Sequence, residues 1–257
     1  MNDIVSGTDA FLLSAMYYKA RISYSDEFFE KLAHALKITR KTKVLDLACG
    51  SGEISFGLSR YAGQVAGIDK SHEMLKNAIA KNATGQKIPN VTFYQQDLNQ
   101  APVLTETKVD LVTIGRAIGY MDAAILKGTL TRSLKRGCPV IICGAGLGQQ
   151  TPWVASYQQL RRTVRRKRTH VDFQGIKKMN SIGFSQLGTV GHTINAKYRF
   201  DDIMNYALSY SSQTESILQN IESFTAALGS ALAPFREADG TFSVSMVSWG
   251  HVFRSND

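Results

Sequence analysis

Two glycines one residue apart, with an acid before them and another after, are the residues whose types and spacing could hold a nucleotide. Val44-Leu45-Asp46-Leu47-Ala48-Cys49-Gly50-Ser51-Gly52-Glu53 reads as an apolar strand carrying one acid, a glycine turn, and a helix start continued by Ile54, Phe56 and Leu58. Seventeen residues past Gly52, Asp69 ends a second apolar run, Val65-Ala66-Gly67-Ile68. Strand, glycine turn, helix and acid-tipped strand form the front half of a nucleotide-binding α/β unit. Glycines let the backbone approach a ligand that a Cβ would repel. The second acid can accept hydrogen bonds from paired ribose hydroxyls. A dinucleotide fingerprint wants a third small residue three positions after the second glycine; Ser55 stands there, an incomplete match. Asp46, aimed at the turn, would repel phosphates and attract a cation. Its alternative role is to brace the loop.

S-adenosylmethionine (SAM) offers an ammonium, a sulfonium and ribose hydroxyls without a phosphate, and suits this set. At these residues the chain resembles the class I SAM-dependent methyltransferases. Four further stretches carry the resemblance. Asp69-Lys70-Ser71-His72-Glu73-Met74-Leu75 is similar to the family's second motif, which implies that Asp69 holds the ribose and that Lys70 and Met74 line the adenine. Met74 also fits as a core residue of an amphipathic helix. Asn90 to Leu98 is similar to the third motif, implying that Asp97 meets the adenine amino group and Leu98 covers the ring; a turn-capping acid is the other reading of Asp97. Gly115-Arg116-Ala117-Ile118-Gly119-Tyr120-Met121-Asp122 resembles an Arg-Ala-Phe-His-Trp-Met-Asp signature of small-molecule members (type 11-like). Gly119 and Tyr120 replace its histidine and tryptophan, so base catalysis is not expected from a histidine in this loop, and Tyr120 packs on the substrate or fills the wall. Tyr17-Tyr18-Lys19-Ala20-Arg21 resembles a Tyr-x-x-Arg element that closes over the cofactor, implying a cofactor role for Tyr18 and Arg21. Ser209-Tyr210-Ser211-Ser212, and Trp153 ahead of an arginine-rich helix, have looser counterparts. The cofactor set implied is Asp46, Ala48, Gly50, Gly52, Asp69, Lys70, Met74, Asp97, Leu98, Gly115, Arg116, Tyr18 and Arg21. Methyl transfer from a sulfonium is an in-line displacement that rests on alignment and water exclusion. A general base is needed only if the nucleophile must lose a proton; Tyr120, His170 and His192 are candidates by residue type alone. No metal site is expected.

The elements that must position these residues alternate along the chain. Ser25-Asp26-Glu27 caps a helix with Phe28, Phe29, Leu32, Ala33 and Leu36 on one face. Strands are expected at 43–48, 64–69, 91–94, 109–114 and 139–143, with helices after 52, from 71 and over 122–135, the last closing on Lys135, Arg136 and a Gly137 stop. This alternation predicts a doubly wound parallel sheet with ligands beyond the strands' carboxyl ends. Residues 149–180 read as basic and helical, 184–200 as β-like, 201–232 as helical and 241–253 as a last strand. The resemblance implies a seven-stranded, mostly parallel Rossmann-like methyltransferase fold, with an antiparallel seventh strand inserted beside the fifth, and a helical lid insertion. The expected organisation is an N-terminal helical cap (1–42), a SAM-binding core (43–148), a basic helical lid (149–183) and a C-terminal part completing the sheet and acceptor pocket (184–257).

Apolar content of 44% and charged content of 20% are those of a soluble globular protein. No run approaches the ~18 apolar residues of a membrane span. Met1-Asn2-Asp3-Ile4 lacks the basic-then-apolar layout of a signal peptide, and the cysteines, 49, 138 and 143, have no metal spacing. A cytoplasmic protein without membrane partners is therefore expected. The net charge of +9 is concentrated at Arg161, Arg162, Arg165, Arg166, Lys167 and Arg168. It is a solvated helix face, a steering patch for an anionic acceptor, or an RNA contact. No separate RNA-binding module is visible, and no Asn-Pro-Pro-aromatic or Asp-Pro-Pro-aromatic tetrad follows the fourth strand. The reading is a methyltransferase acting on a small soluble molecule. Its alternatives are an RNA methyltransferase and a non-catalytic SAM-binding protein.

Overall fold

The computed structural model describes residues 16–84, 88–103, 105–164 and 175–256. Seven strands form one sheet: β1 (Lys43–Leu47), β2 (Gln64–Asp69), β3 (Val91–Gln95), β4 (Leu111–Gly115), β5 (Val140–Leu147), β6 (Phe184–Tyr198) and β7 (Phe242–Ser255). Their order is β3-β2-β1-β4-β5-β7-β6. The pairs β1–β2, β1–β4, β2–β3 and β4–β5 are parallel. The order reverses between β1 and β4, the switch point where open α/β sheets hold ligands. At the other end, Asn256 N–H donates to Gly183 O while Gly191 lies against Ser248 O, so β7 runs antiparallel to β6. The seventh strand stands beside the fifth, as the resemblance implied.

Two compact units divide the chain. One comprises Tyr24–Gly144, Val171–His192 and Ser248–Asp257; the other comprises Met1–Ser23, Ala145–His170 and Thr193–Val247. The first unit holds the parallel strands, whose near-continuous apolar runs suit burial on both faces. Leu45 and Leu47 of β1, Val112 and Ile114 of β4, and Val140 and Ile142 of β5 belong to one buried cluster closed by Phe253. Helices α1 (Asp26–Ala35), α2 (Glu53–Ser59), α3 (His72–Thr84), α4 (Ala123–Ser133) and α6 (Gly175–Ser181) also lie here, with α5 (Val154–Val164) in the second unit. The Ser25 hydroxyl accepts from Phe28 N–H at the start of α1, the capping expected from its sequence. Tyr24 stacks on Phe28, and Phe29 packs tilted against both, with ring centroids 5.6–5.8 Å apart.

Three expected elements shift. Helix α4 ends at Ser133 rather than near 135, because Leu134 turns extended and bridges to Val109. Strand β4 accordingly starts at Leu111. Strand β5, expected at 139–143, runs on through Gly144 and Gly146 to Leu147. A Cβ on Gly144 would lie 2.2 Å from the Trp249 ring, so this glycine serves close packing within the sheet.

The second unit contains α5, α7 (Phe200–Leu208), α8 (Thr214–Gln219) and α9 (Ile221–Leu232). Trp153 is fully buried and donates from Nε1 to Ser243 O at 2.8 Å. Thr151 Oγ1 donates to Ser245 O and accepts from Ser245 N–H. Among the described residues no helix is long and apolar enough to cross a membrane.

The contact between α1 and α2 yields the first prediction. A Cβ on Gly57 would meet the Phe29 ring at 2.2 Å. Gly57→Ala gains about 1 kcal/mol of helix propensity but forces this ring aside, at a cost of roughly 1–3 kcal/mol. The denaturation midpoint is expected to fall, with the far-ultraviolet dichroism of the folded state retained. An unchanged or raised midpoint would contradict the packing described.

Candidate functional site

The turn after β1 is unusual in its backbone. Ala48, Gly50 and Gly52 all have left-handed φ angles, +52°, +54° and +79°. Two of the three are the glycines singled out above; Ala48 adopts the conformation despite its Cβ, at a cost of about 1–2 kcal/mol. A Cβ at Gly50 would sit 3.1 Å from Met74 Cε, and one at Gly52 would sit 2.8 Å from the Phe93 ring. Asp69, at the end of β2, holds this turn. Its Oδ2 accepts from Gly50 N–H and its Oδ1 from Ser71 N–H, each at 2.8 Å. The carboxylate is half-buried and retains lone pairs for further donors. Lys70 is exposed and Met74 half-buried.

Asp46 is 1% exposed and faces its register partner on β4: Thr113 Oγ1 donates to Oδ1 and Ser55 Oγ to Oδ2, both at 2.7 Å. Ser55, the residue at the incomplete fingerprint position, is thus a ligand of Asp46. Burial pushes the Asp46 carboxyl up from 3.8 to about 6, against the pull of the Ser55 and Thr113 hydroxyls. The contacts of Asp46 are those of the bracing role, to α2 and β4.

At the end of β4, a Cβ on Gly115 would lie 2.5 Å from Ile54 Cδ1 and 3.3 Å from the Tyr24 hydroxyl, so a side chain there would force Ile54 aside. Arg116 is left-handed, with φ +56°. Its guanidinium pairs with Glu53 and lies 4.9 Å from the Tyr24 ring centroid. Glu53 also accepts from Tyr24 N–H at 2.9 Å. The Tyr24 hydroxyl is buried and has no partner among the described residues, and burial keeps the phenol protonated by raising its pKa well above 10. The loop after Arg116 is strapped by Lys178, which donates to Ile118 O and Met121 O, and by Asn99, which donates to Tyr120 O and accepts from Asp122 N–H. Tyr120 is 46% exposed. Asp97 Oδ1 accepts from Asn99 N–H at 2.9 Å, the turn-capping role; no described residue donates to its Oδ2. Leu98 packs against the core cluster.

His192 Nδ1 lies 2.8 Å from Ser25 Oγ, at the α1 N-terminus. His170, Arg165, Arg166, Lys167 and Arg168 lie outside the described residues, as does the part of the expected N-terminal cap before Met16.

Tyr18 and Arg21 belong to the second unit. Arg21 Nε and Nη2 donate to Ser209 O at 3.2 and 3.0 Å, and its guanidinium lies 5.3 Å from the Tyr18 ring and 4.5 Å from the Tyr210 ring. Arg161 also lies 4.5 Å from the Tyr210 ring, and its Nε donates to Gln213 Oε1. The two guanidiniums are at most twice that distance apart. Two unit charges at ~9 Å repel by about 2 kcal/mol at an effective dielectric of ~20, before solvent screening. The Tyr206 hydroxyl meets that of Tyr210 at 2.7 Å. Arg162 is exposed, so a solvated face holds for Arg162 but not for Arg161.

Sequence reasoning passed over Tyr24, Glu53, Asn99 and Lys178. Glu53 was within the motif, directly after the second glycine. The other three are marked only by the tertiary contacts they make.

A family model described as "Methyltransferase domain" matches residues 38–141. Residues 38–141 are thus similar to a methyltransferase domain, and the chain has the Rossmann-like fold of the class I SAM-dependent methyltransferases. Over 65 residues, 25% of this chain, it is 42% identical to a 23S rRNA (uracil(1939)-C(5))-methyltransferase of Pasteurella multocida, and spans only 15% of that protein's length. A candidate type II methyltransferase of Anaeromyxobacter dehalogenans aligns over 91% of this chain and 96% of its own, at 18% identity and a TM-score of 0.64. A SAM-dependent methyltransferase of Geobacter sulfurreducens, solved with S-adenosyl-L-homocysteine, aligns over 96% and 98%, at 18% identity and a TM-score of 0.54.

Asp46 supplies a test by pH. The folded chain holds a proton on Asp46 that the unfolded chain releases, so this group's contribution falls as pH rises from 3.8 to about 6. The loss is about 3 kcal/mol in all, and is complete above pH ~6. Asp46→Asn should keep the hydroxyl partners and remove that slope. Parallel slopes for parent and variant in urea titrations from pH 4 to 7 would contradict the assignment.

Proposed function

We propose that the chain is a SAM-dependent methyltransferase whose acceptor is a small soluble molecule. The observation that supports it most is the turn of Ala48, Gly50 and Gly52, held by Asp69. Its donors fit the cofactor on three counts. Gly50 leaves open a space that a Cβ would take against Met74. The carboxylate at the turn, Asp69, suits hydroxyls, and with Asp46 buried behind it the site opposes a pyrophosphate. Asp69 keeps acceptor capacity beyond its two backbone bonds.

In this reading Asp69 accepts from the ribose hydroxyls, Asp97 Oδ2 accepts from the adenine amino group, and Met74 and Leu98 flank the base. Lys70, Ala48, Gly52 and Gly115 line the site. Arg116, fixed by Glu53 and Tyr24, closes its wall at the end of β4. When bound, SAM supplies an electrophilic methyl on sulfur. The chain's part is to align the acceptor and exclude water, effects that can lower a barrier by several kcal/mol. The loop strapped by Lys178 and Asn99 carries Tyr120, which packs beside the acceptor. No protein base is assigned.

A second reading, an RNA acceptor, is favoured by the rRNA methyltransferase relative and the +9 charge. That local match covers a quarter of the chain. Methyl-labelled SAM incubated with the protein and separated metabolite and RNA fractions distinguishes the readings. Label is expected in the metabolite fraction. Label confined to RNA overturns the small-molecule reading, and retention of all label on the protein overturns the enzyme.

Asp69→Ala removes a charged acceptor, and is expected to weaken SAM binding by about 1.5–3 kcal/mol, roughly 10- to 150-fold. Calorimetry on variant and parent checks this; equal affinities would contradict the role of Asp69.

A further inference from the structure

The resemblance implied a cofactor role for Arg21, but the Arg21–Tyr210–Arg161 cluster that Arg21 enters has no part in the site built around Asp69. Both guanidiniums are half-buried against one phenol ring. Each is anchored by a neutral acceptor: the Ser209 carbonyl for Arg21, the Gln213 amide oxygen for Arg161. Gln213 is held in turn, donating from Nε2 to Ala207 O at 2.6 Å. Neutral anchors fix the planes of the two guanidiniums without compensating their charge. Among the described residues, no carboxylate pairs with either one. The Nη1 group of Arg21 and both Nη groups of Arg161 have no described protein acceptor. Elsewhere in this chain, Arg60 has Asp26 and Arg116 has Glu53. Two pre-oriented guanidiniums close to one another, with no carboxylate partner among the described residues, are stabilised when an anion lies between or beside them.

We propose that Arg21 and Arg161, stacked about Tyr210, bind the carboxylate or phosphate of a small ligand other than the cofactor. A planar fork gives paired hydrogen bonds to either group, and partial burial strengthens them relative to water. The Tyr210 ring adds a flat apolar contact for the body of the ligand. That the ligand is the methyl acceptor rests on the function proposed above; the anion site itself does not.

The test is calorimetric titration of the full chain, saturated with S-adenosylhomocysteine, with sodium benzoate and separately with inorganic phosphate at constant ionic strength. Saturable binding of at least one is expected, and the tighter probe tells carboxylate from phosphate. Arg161→Gln and Arg21→Gln should each weaken it by at least about tenfold, as loss of a charged partner does. The exposed Arg162→Gln should leave it unchanged, and Arg161→Gln should leave the affinity for S-adenosylhomocysteine within about twofold of the parent's. Arg161→Gln keeps the proposal testable should Arg21→Gln fail to fold. Binding of neither probe overturns the proposal. So does equal weakening by Arg162→Gln, which would mark diffuse charge, or a parallel loss of S-adenosylhomocysteine affinity, which would assign the cluster to the cofactor's carboxylate. Failure of the parent to bind S-adenosylhomocysteine at all would instead overturn the proposed function, and the same titrations without it still decide the anion site.

Discussion

A single carboxylate ties the first two strands of the sheet together where they end. Asp69 Oδ2 accepts from Gly50 N–H, and Oδ1 accepts from Ser71 N–H. The first bond crosses to the turn after β1, and the second shapes the entry to α3. The parallel ladder carries the same alignment up to that point, with Leu47 in register with Ile68 and Cys49 N–H donating to Ile68 O. The left-handed run at Ala48, Gly50 and Gly52 is costly on its own. It persists because strand pairing below and Asp69 beside it over-determine the path. The acid that would read a ribose is therefore also the acid that shapes the turn.

A second layer of polar contacts keeps the ends of β1 and β4 in place. Asp46, Ser55 and Thr113 form a small buried network beside the apolar core of the parallel strands. Networks of this kind rigidify when fully satisfied, and here each carboxylate oxygen has a hydroxyl donor. Glu53, Arg116 and Tyr24 then fix the backbone beyond β4 through an ion pair, a ring face and a backbone bond. The Tyr24 hydroxyl is buried with no described partner. An unsatisfied hydroxyl of this sort costs about 1–3 kcal/mol, and it lies beside Gly115, where a side chain would force Ile54 aside.

Much of this was legible in the sequence because it rests on local chemistry. Glycine spacing, the acid at each strand end and the period of the apolar runs are properties of neighbouring residues, and they located five parallel strands and the turn. The order of β6 and β7 came from family resemblance, since periodicity does not order strands. What was illegible depends on contacts between distant segments. Gly144 and Gly146 lie past the expected end of the fifth strand, yet both are strand residues, and Gly144 makes room for Trp249. Leu134 left the helical pattern because a bridge to Val109 outweighed its propensity. Lys178 and Asn99 carry no local mark of their role as straps. Arg161 belonged to a run that reads as a solvated face; only the fold shows it against Tyr210 with Arg21, far away in sequence. The roles given to Asp97 and Met74 each had two readings, and their geometry supports a structural contact without removing the ligand one.

The most direct test of the central claim is a chemical double-mutant cycle on the ribose contact. Affinities of S-adenosylhomocysteine and its 2′-deoxy analogue would be measured by calorimetry against the parent chain and against Asp69→Asn. If Asp69 accepts from the ribose while holding Gly50, removing the hydroxyl weakens binding to the parent by about tenfold or more. The same removal then matters far less in the variant, whose amide no longer supplies a charged acceptor. An equal penalty in both proteins, or none in the parent, would contradict the account.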